Sequence, residues 1–398
     1  MPPTNGVRHK VYSVLSYMAT RHECHVLSFG QPGQLRDAHE WEQLLPGLRV
    51  LGVLPPRRGP QLVPLQLGSL AMSTGIPSAV RWSTAAFAAA VSRACAGTRY
   101  DVIHLDMINL AGYRRLAGEI PIILSANDAV SLAYSRRAER EHNPVRRIML
   151  QLLSRRLLSF ERTRYPQFTR VHVVSGRDAE YLKERAHLGN VVVIPLAADP
   201  RCLNVVSGLH VSPAGLTVFA SGLLSLPYIR DPLCTFVAER WGEVAARFSS
   251  VRLVIVGRGA PPSVIAFLRQ ARAVEFHGWV EDYASAMAPA DVALFLDCGG
   301  TGVKTRVVQA LAAGKATVGT SYAFEGIEVE HGVHCYISDD QDEICRYVSK
   351  LLASPELRGR LGQSARELVL ARYTQEAVGK RWEDLYAEVS RHRSRTSA

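Results

Sequence analysis

The stretch LFLDCGGTGVKTRVVQALAAGKATVGT, residues 294–320, decides the fold of this chain. A short apolar strand ends near Asp297, and three glycines lie within the turn 299–302. An amphipathic helix is predicted over about 303–313, and Gly314 follows it at the position where glycine commonly ends a helix. Because open parallel sheets bind ligands beyond the carboxyl ends of their strands, this strand-to-helix turn is predicted to hold a ligand.

The residue types in this turn are those that bind phosphate. Glycine lets a ligand approach the backbone closely, and the free N–H groups of a helix's first turn point toward it. Lys304 adds a positive charge there, and Arg306 and Gln309 share one helix face. These features predict a pocket for a phosphate with a hydroxylated group beside it. The alternative interpretation is a structural glycine turn followed by two solvated cations.

The same alternation of strand and helix extends through the whole chain. Near-continuous Val, Ile and Leu strands separated by helices are typical of parallel sheets covered on both faces. The predicted strands are 24–29, 100–106, 121–126, 170–175, 190–195, 216–222, 251–257, 273–278, 291–297, 316–320 and 334–338. Two such runs predict an α/β protein with two doubly wound, Rossmann-like domains.

The predicted domain boundary is the proline-punctuated segment 194–200. We expect an N-terminal domain over 1–198 and a C-terminal domain over 199–372. The stretch 55–80 shows no periodicity and is predicted to be a loop or a mobile lid. A central first strand should precede the loop PPTNG (2–6), so we expect an upstream start that adds ~5–6 apolar residues, or a poorly folded chain.

Composition excludes several classes of protein. The 398 residues, 47% hydrophobic and 21% charged, are ordinary for a globular protein and argue against disorder. No apolar run approaches the ~18 residues of a membrane-spanning helix, and the N-terminus lacks a signal-peptide core. Seven scattered cysteines without a C-x-x-C pair favour a reducing compartment over disulfides or zinc. These features predict a cytoplasmic protein.

The net charge of +11 is concentrated in residues 136–170, which hold ten arginines and three glutamates. A basic excess attracts phosphates on nucleotides, lipids or nucleic acid. The doublets Arg146/Arg147 and Arg155/Arg156 lie on opposite helix faces, which favours a solvated or interdomain helix. Peripheral contact with the anionic inner face of a membrane is the less favoured alternative. A nucleic-acid partner is not expected, because no recognised motif or interleaved aromatics accompany the arginines.

Polar residues close two neighbouring strands of the first half, in DVIHLD (101–106) and SANDAVSL (125–132). Asp106, Asn127 and Asp128 are therefore candidate catalytic or acceptor-side residues. Helix capping by Asn127 or Asp128 is an equally good interpretation. We expect no metal and no cofactor, since the sequence lacks a D-x-D motif at a strand end and metal-type histidine pairs.

Seven pieces of residues 216–390 resemble, in order and spacing, the nucleotide-sugar domain of family-4 glycosyltransferases. They are FASGLLS, VRLVIVGRG, VEFHGWVED, PADVALFL, GGTGVKTRVVQALAAGK, FEGIEVEHGVHCYISDD and LGQSARELVLARYT. The first half resembles the family more loosely. The resemblance implies the GT-B architecture, in which two Rossmann-like domains face a cleft, and a final helix, 373–398, that crosses back to the N-terminal domain. It also implies sugar transfer from a nucleotide-sugar donor with retention of configuration and without an essential metal.

The resemblance further implies which residues bind the sugar donor. It places the diphosphate along the glycine-rich turn and the first helical turn, the ribose at Gln309, and the base near Arg258 and Trp279. The implied set is Gly6, Gly222, Arg230, Arg258, Trp279, Gly300, Thr301, Gly302, Val303, Lys304, Arg306 and Gln309. The sugar donor would be UDP-, dTDP- or GDP-linked, and the acceptor a sugar, a lipid-linked molecule or another small molecule.

The sequence departs from the family's pattern at three positions. Gln309 and Thr301 stand where the family usually has glutamates, and Asp106 or Asn127 takes the place of a histidine. An amide bonds a ribose hydroxyl more weakly than a carboxylate does. Alternatives to a transferase are a catalytically weak or inactive GT-B-like partner protein and a nucleotide-sugar epimerase. A pyridoxal-dependent phosphorylase is disfavoured, because no lysine has the matching context.

Overall fold

The computed structural model describes residues 6–31, 40–60, 62, 77–205 and 215–396. Its strands are β1 Cys24–Phe29, β2 Leu48–Leu54, β3 Ile103–Asp106, β4 Ile122–Asn127, β5 Arg170–Val173, β6 Val191–Val193, β7 Thr217–Ser221, β8 Arg252–Val256, β9 Val274–His277, β10 Val292–Phe295, β11 Ala316–Gly319 and β12 Tyr336–Ile337. Its α-helices are α1 Gly6–Met18, α2 Ala85–Gly97, α3 Val130–Glu139, α4 Pro144–Arg164, α5 Gly176–Ala186, α6 Pro200–Leu203, α7 Pro227–Glu239, α8 Trp241–Arg247, α9 Pro262–Gln270, α10 Tyr283–Met287, α11 Thr305–Ala312, α12 Gln341–Ala353, α13 Pro355–Arg372 and α14 Gln375–Thr396. Short 3-10 helices lie at Pro77–Trp82, Ile108–Leu116 and Tyr165–Gln167.

The strands of the described residues form three parallel sheets, in the orders β1-β2, β3-β4-β5-β6 and β12-β11-β10-β7-β8-β9. Helices connect most of the consecutive strands, as parallel pairing requires, but no helix lies between β11 and β12 in residues 320–335. This arrangement confirms the predicted α/β class with doubly wound sheets. The contacts divide the chain into two units, Met1–Pro195 with Val378–Ala398 (unit 1) and Leu196–Ala377 (unit 2). Most of the last helix, α14, thus belongs to unit 1.

A directional chain of hydrogen bonds ties α14 to the sheet of unit 1. His104 contacts the Tyr386 hydroxyl through Nδ1 at 2.6 Å and Ser125 Oγ through Nε2 at 2.8 Å. Ser125 Oγ then contacts His172 Nδ1 at 2.9 Å, and His172 Nε2 reaches the Ile194 carbonyl at 2.8 Å. The Ile194 carbonyl can only accept, so His172 donates to it, and each neutral histidine then accepts at its other ring nitrogen. Every hydrogen bond in the chain therefore has its donor on the Tyr386 side and its acceptor on the Ile194 side. Burial lowers the pKa of His104 to about 4 and lowers that of His172 as well, so both stay neutral at pH 7.

In unit 2 the sheet core positions helix α11 and the glycine-rich turn before it. The α11 side chains of Val307, Val308 and Leu311 are fully buried. Gly362 of α13 lies so close to this region that a Cβ there would approach the Gly314 carbonyl oxygen to 2.0 Å. This packing holds α11 on both sides and thereby fixes the direction of its N-terminus.

The structure differs from the predicted elements at several places. Strand β2 was not predicted, because LRVLGVL is interrupted by arginine and glycine and is only partly buried. Most predicted strands extend one to three residues beyond the observed ends, which is ordinary at element boundaries, whereas 24–29 is exact and the strand predicted at 121–126 is Ile122–Asn127. Residues 2–5 of the predicted opening loop, and most of the predicted lid at 55–80, lie outside the described residues.

Candidate functional site

The predicted sugar-donor site lies where three neighbouring strands of unit 2 end. Strands β10, β7 and β8 are adjacent and parallel, so the loops after them share one edge of the sheet. Backbone bonds join these loops: Cys298 N donates to the Tyr228 carbonyl at 2.9 Å, and Leu224 N donates to the Arg258 carbonyl at 2.9 Å. Gly222 continues from β7 with its N–H bonded to the Val256 carbonyl at 3.0 Å. The sheet therefore brings the predicted glycine turns together.

The turn 299–302 has the backbone that its glycines predict. Gly300 has φ +89° and Gly302 has φ +68°, both in the region that favours glycine. A Cβ on Gly300 would meet the Tyr228 ring at 3.2 Å. Thr301 and Val303 are half-buried between and after these glycines, and the N-cap residue Lys304 makes no side-chain cap bond to the helix that starts at Thr305. The turn thus leads directly into a helix N-terminus, which attracts anions.

Both predicted phosphate-binding cations already contact acidic residues. The Arg306 guanidinium pairs directly with Asp297, whose side chain is 2% exposed. Lys304 Nζ donates to the Gly302 carbonyl at 3.0 Å and lies 3.9 Å from a Glu325 carboxylate oxygen. The four side chains therefore carry about zero net charge, and a diphosphate here would compete with two carboxylates.

Two polar atoms in this cluster are buried with no hydrogen-bond partner among the described residues: Arg306 Nε and Asp297 Oδ2. Buried polar groups are normally paired, so such atoms call for an explanation. Arg306 Nε can still donate one bond, and a phosphate oxygen is an acceptor of the right kind. The neighbouring Tyr283 hydroxyl is bonded to Ser221 at 2.8 Å, and burial raises its pKa, so it stays protonated.

The remaining residues of the predicted sugar-donor set lie farther out. Gln309 is half-buried one turn into α11, on the face of Arg306. Arg230 pairs with Asp231 at 2.6 Å on α7. Arg258 is exposed after β8, and Trp279 is 61% exposed after the edge strand β9. Three strand spacings, roughly 14 Å, separate β9 from β10, so a ligand touching both must extend along the sheet edge.

Gly6, the other member of that set, belongs to unit 1, where it begins α1. The loop that leads to it lies outside the described residues. The same helix contributes a functional candidate that the sequence analysis missed, Lys10.

Lys10 reaches the two predicted catalytic residues at neighbouring strand ends. Its Nζ lies 2.5 Å from Asp106 Oδ1 and 2.6 Å from Asn127 Oδ1, and the Lys10 side chain is 4% exposed. Burial lowers the pKa of Lys10, while the charges of Asp106 and of the half-buried Asp128 oppose that shift. Asn127 Oδ1 thus accepts from a cation, and the Ala129 and Ser131 N–H groups at the start of α3 donate to Asp178 and Glu161 instead. Capping by Asn127 is therefore wrong, and capping by Asp128 stays a prediction.

Backbone strain marks the same place. Met107, which follows β3, has φ +82°, and Asn127, the last residue of the adjacent β4, has φ +69°. Non-glycine residues seldom adopt this region, and such outliers cluster at functional sites. The Asn127 amide also donates toward Met107 Sδ at 3.2 Å. A polar cluster with a fixed charge and a constrained backbone can orient a hydroxylated ligand.

A sequence signal for Lys10 did exist. Lys10, Val14, Tyr17 and Met18 follow the spacing of one helix face, and all four are buried. A lysine on an apolar face requires a buried acidic partner, and that requirement marks it as a candidate. The sequence signal that Asp297 is a functional residue was weaker. A carboxylate at the end of a strand is as common in a solvent-exposed turn as in a buried ion pair.

Two family matches cover most of the chain. Residues 4–201 match the family described as Glycosyltransferase Family 4, and residues 224–354 match the family described as Glycosyl transferases group 1. No curated protein sequence matches the chain.

Solved structures share its fold at low identity. HepE of Anabaena, crystallised with UDP, is 15% identical over 96% of each chain, with a TM-score of 0.63. Sucrose-phosphate synthase from Thermosynechococcus elongatus is 16% identical over 86% of this chain and 84% of that one, with a TM-score of 0.61. A trehalose-phosphate synthase (UDP-forming) from Burkholderia vietnamiensis is 10% identical over 94% and 99%, with a TM-score of 0.59.

The chain belongs to the family-4 type of glycosyltransferases with the GT-B fold. In the described part of the chain, no helix combines the length and the apolar composition needed to cross a bilayer. Within those same residues, no group of three or more His, Cys, Asp or Glu side chains is arranged to hold a metal ion.

Proposed function

We propose that this glycosyltransferase binds the diphosphate of a nucleotide-sugar at the glycine-rich turn of unit 2 and its acceptor at Asp106 and Asn127 of unit 1. The observation that carries the proposal is the turn itself. Gly300 and Gly302, both at positive φ, lead into the N-terminus of α11, whose N-cap residue Lys304 makes no side-chain cap bond. Backbone N–H groups and the helix dipole there favour an anion, and Arg306 Nε has a bond left to donate.

The nucleotide is identified by thermal shift with UDP, dTDP, GDP and ADP, and then with their sugars. A ligand at 100 times its Kd stabilises the protein by about 2.7 kcal/mol, which raises the Tm by roughly 5–10 °C. UDP is tested first, because two of the structural relatives carry it in their names. Gly300→Ala should abolish the shift, since the new Cβ meets the Tyr228 ring. Gly359→Ala, where a Cβ meets nothing within 4 Å, is the matched control. A shift that survives Gly300→Ala would place the nucleotide elsewhere.

We also propose that the transfer retains the anomeric configuration and needs neither metal nor cofactor. Support comes from the resemblance to family 4 and from fixed groups that can stabilise a leaving diphosphate. Turnover should survive EDTA, and NMR of the first product should show the anomeric configuration of the sugar donor. A strict Mg²⁺ or Mn²⁺ requirement, or an inverted product, would contradict this.

Seven free cysteines support a cytoplasmic location.

The second candidate is a catalytically weak or inactive partner protein. Gln309 in place of a glutamate and the neutralisation of Asp106 by Lys10 favour it. Hydrolysis of the sugar donor in water separates the two, since an inactive protein binds the nucleotide-sugar without releasing the nucleotide. Recovery of an epimerised nucleotide-sugar without acceptor would instead identify an epimerase.

A further inference from the structure

The arginine-rich helix α4, Pro144–Arg164, is anchored at one end and free at the other. Leu157, Phe160 and Glu161 in its second half are buried in unit 1. Residues 143–149, at its start, are all exposed. Asn143 Oδ1 accepts hydrogen bonds from Val145 N at 3.0 Å and Arg146 N at 3.1 Å, so this exposed end is capped. The helix therefore presents a capped, solvent-facing segment of about two turns.

The exposed segment carries a stripe of large apolar side chains: Val145, Ile148, Met149 and Leu152 are 66%, 56%, 58% and 53% exposed. At 100° per residue they fall within roughly 100° of arc. Four of the eleven large apolar side chains exposed among the described residues thus lie within eight consecutive positions. The core of unit 1 uses the neighbouring arc of the same helix, since Phe160 and Leu157 lie about 60° and 120° from Val145. A second apolar stripe is unnecessary for folding and indicates a docking surface.

Arginines flank this apolar stripe on both sides. Arg146 lies about 100° from Val145 in one direction, and Arg155 lies about 80° from it in the other. One arginine of each doublet thus lies beside the stripe, whereas Arg147 lies about 200° from Val145, on the opposite side of the helix, and Arg156 lies about 20° from Val145, one turn beyond Leu152. Residues 144–160 contain four arginines and no acidic residue.

We propose that the first half of α4, residues 144–156, docks this protein on the surface of an anionic lipid bilayer. An apolar stripe between cationic flanks is the pattern of a helix that lies in the bilayer interface. The apolar side chains enter the acyl boundary while the arginines meet lipid phosphates. Charge complementarity selects a lipid surface with net negative charge, since the segment has no acid to offer a cationic partner.

Sedimentation with vesicles tests the proposal on the full chain without using turnover. Wild type should bind vesicles of equal parts phosphatidylglycerol and phosphatidylcholine and bind pure phosphatidylcholine at least tenfold more weakly. The double variant Arg146→Gln, Arg155→Gln should lose binding by on the order of 25-fold, at about fivefold per arginine. The control Arg49→Gln, Arg93→Gln removes the same charge from exposed positions on other parts of unit 1 and should bind like wild type.

The apolar stripe is tested separately. Leu152→Gln should weaken vesicle binding by on the order of fivefold, while Leu370→Gln, at a 47% exposed leucine of α13, should not. Melting curves check that both leucine variants are folded. The vesicle binding of the two variants is then compared directly. The proposal is overturned if wild type ignores anionic vesicles, if the arginine control loses as much binding, or if Leu152→Gln dissociates a dimer that does not bind vesicles. In that last case, the stripe joins two copies of the chain. None of these results bears on sugar transfer.

Discussion

Replacing Arg306 with glutamine should lower both stability and turnover, and the two losses have different causes. Asp297 and Arg306 are 2% and 19% exposed at their side chains and pair directly. Removing one partner of a buried ion pair leaves the other charge uncompensated, at a cost of about 3–5 kcal/mol. Because the arginine is slightly exposed, we expect about 3 kcal/mol, which lowers the Tm of a unit of this size by about 6–12 °C.

The double variant Asp297→Asn, Arg306→Gln separates the two causes. It removes both charges and keeps polar groups of similar size, so most of the lost stability should return. Turnover should not return, because a charge-assisted bond to phosphate, worth roughly 1.5–3 kcal/mol, is still missing. That corresponds to a kcat about 10- to 150-fold below wild type. Charge on the diphosphate grows toward the transition state, so kcat should fall more than KM rises.

Scanning fluorimetry and initial rates of nucleotide release measure the two effects side by side. The exposed Arg269→Gln is the control for loss of one arginine and should change neither. Lys315, just past the helix, is unsuitable because it is buried and donates to the Ala288 carbonyl at 2.6 Å. If the double variant regains wild-type turnover along with its Tm, Arg306 serves to neutralise Asp297 and the phosphate assignment is refuted.

Three further outcomes concern unit 1. Lys10→Met should destabilise it by about 3 kcal/mol, and adding Asp106→Asn should recover part of the loss in urea unfolding. Strictly additive losses would show that the two charges do not interact. Burial raises the pKa of Glu161 to about 7 from its ordinary value of 4.5. The contribution of Glu161 to the free energy of unfolding is therefore complete below about pH 4.5 and is lost as the pH rises through about 7. Glu161→Gln should remove roughly 3 kcal/mol of that pH dependence, measured by urea unfolding at about pH 5 and about pH 8. Burial lowers the pKa of His104 to about 4 from its ordinary value of 6.5. The contribution of neutral His104 to the free energy of unfolding is therefore present above about pH 6.5 and is lost as the pH falls through about 4. Glutamine does not titrate, so the His104→Gln variant should lose less stability in acid than wild type. If the acid-unfolding curves of the variant and of wild type coincide, His104 is not the cause of the acid loss.

Local patterns were enough to predict the glycine turn of unit 2 and, apart from β2, the succession of strands. Apolar periodicity, glycine and proline act within a few residues, so their consequences are visible along the chain. Glycine permits the positive φ angles of Gly300 and Gly302, although the fold decides which glycines adopt them. The α/β class follows for the same reason, because buried parallel strands need continuous apolar runs.

The partners of the polar side chains required the folded chain. Lys10 and Asp106 are 96 residues apart in sequence and meet because α1 packs beside the end of β3. Arg306 and Asp297 are nine residues apart, yet their pairing depends on how the glycine turn reverses the chain between them. The apolar positions of α4 are visible in the sequence, but tertiary packing decides which of them are buried. The neighbours of a side chain depend on which distant segments pack together. That packing is decided by the free energy of the whole folded chain, whereas helix and strand periodicity depends only on nearby residues.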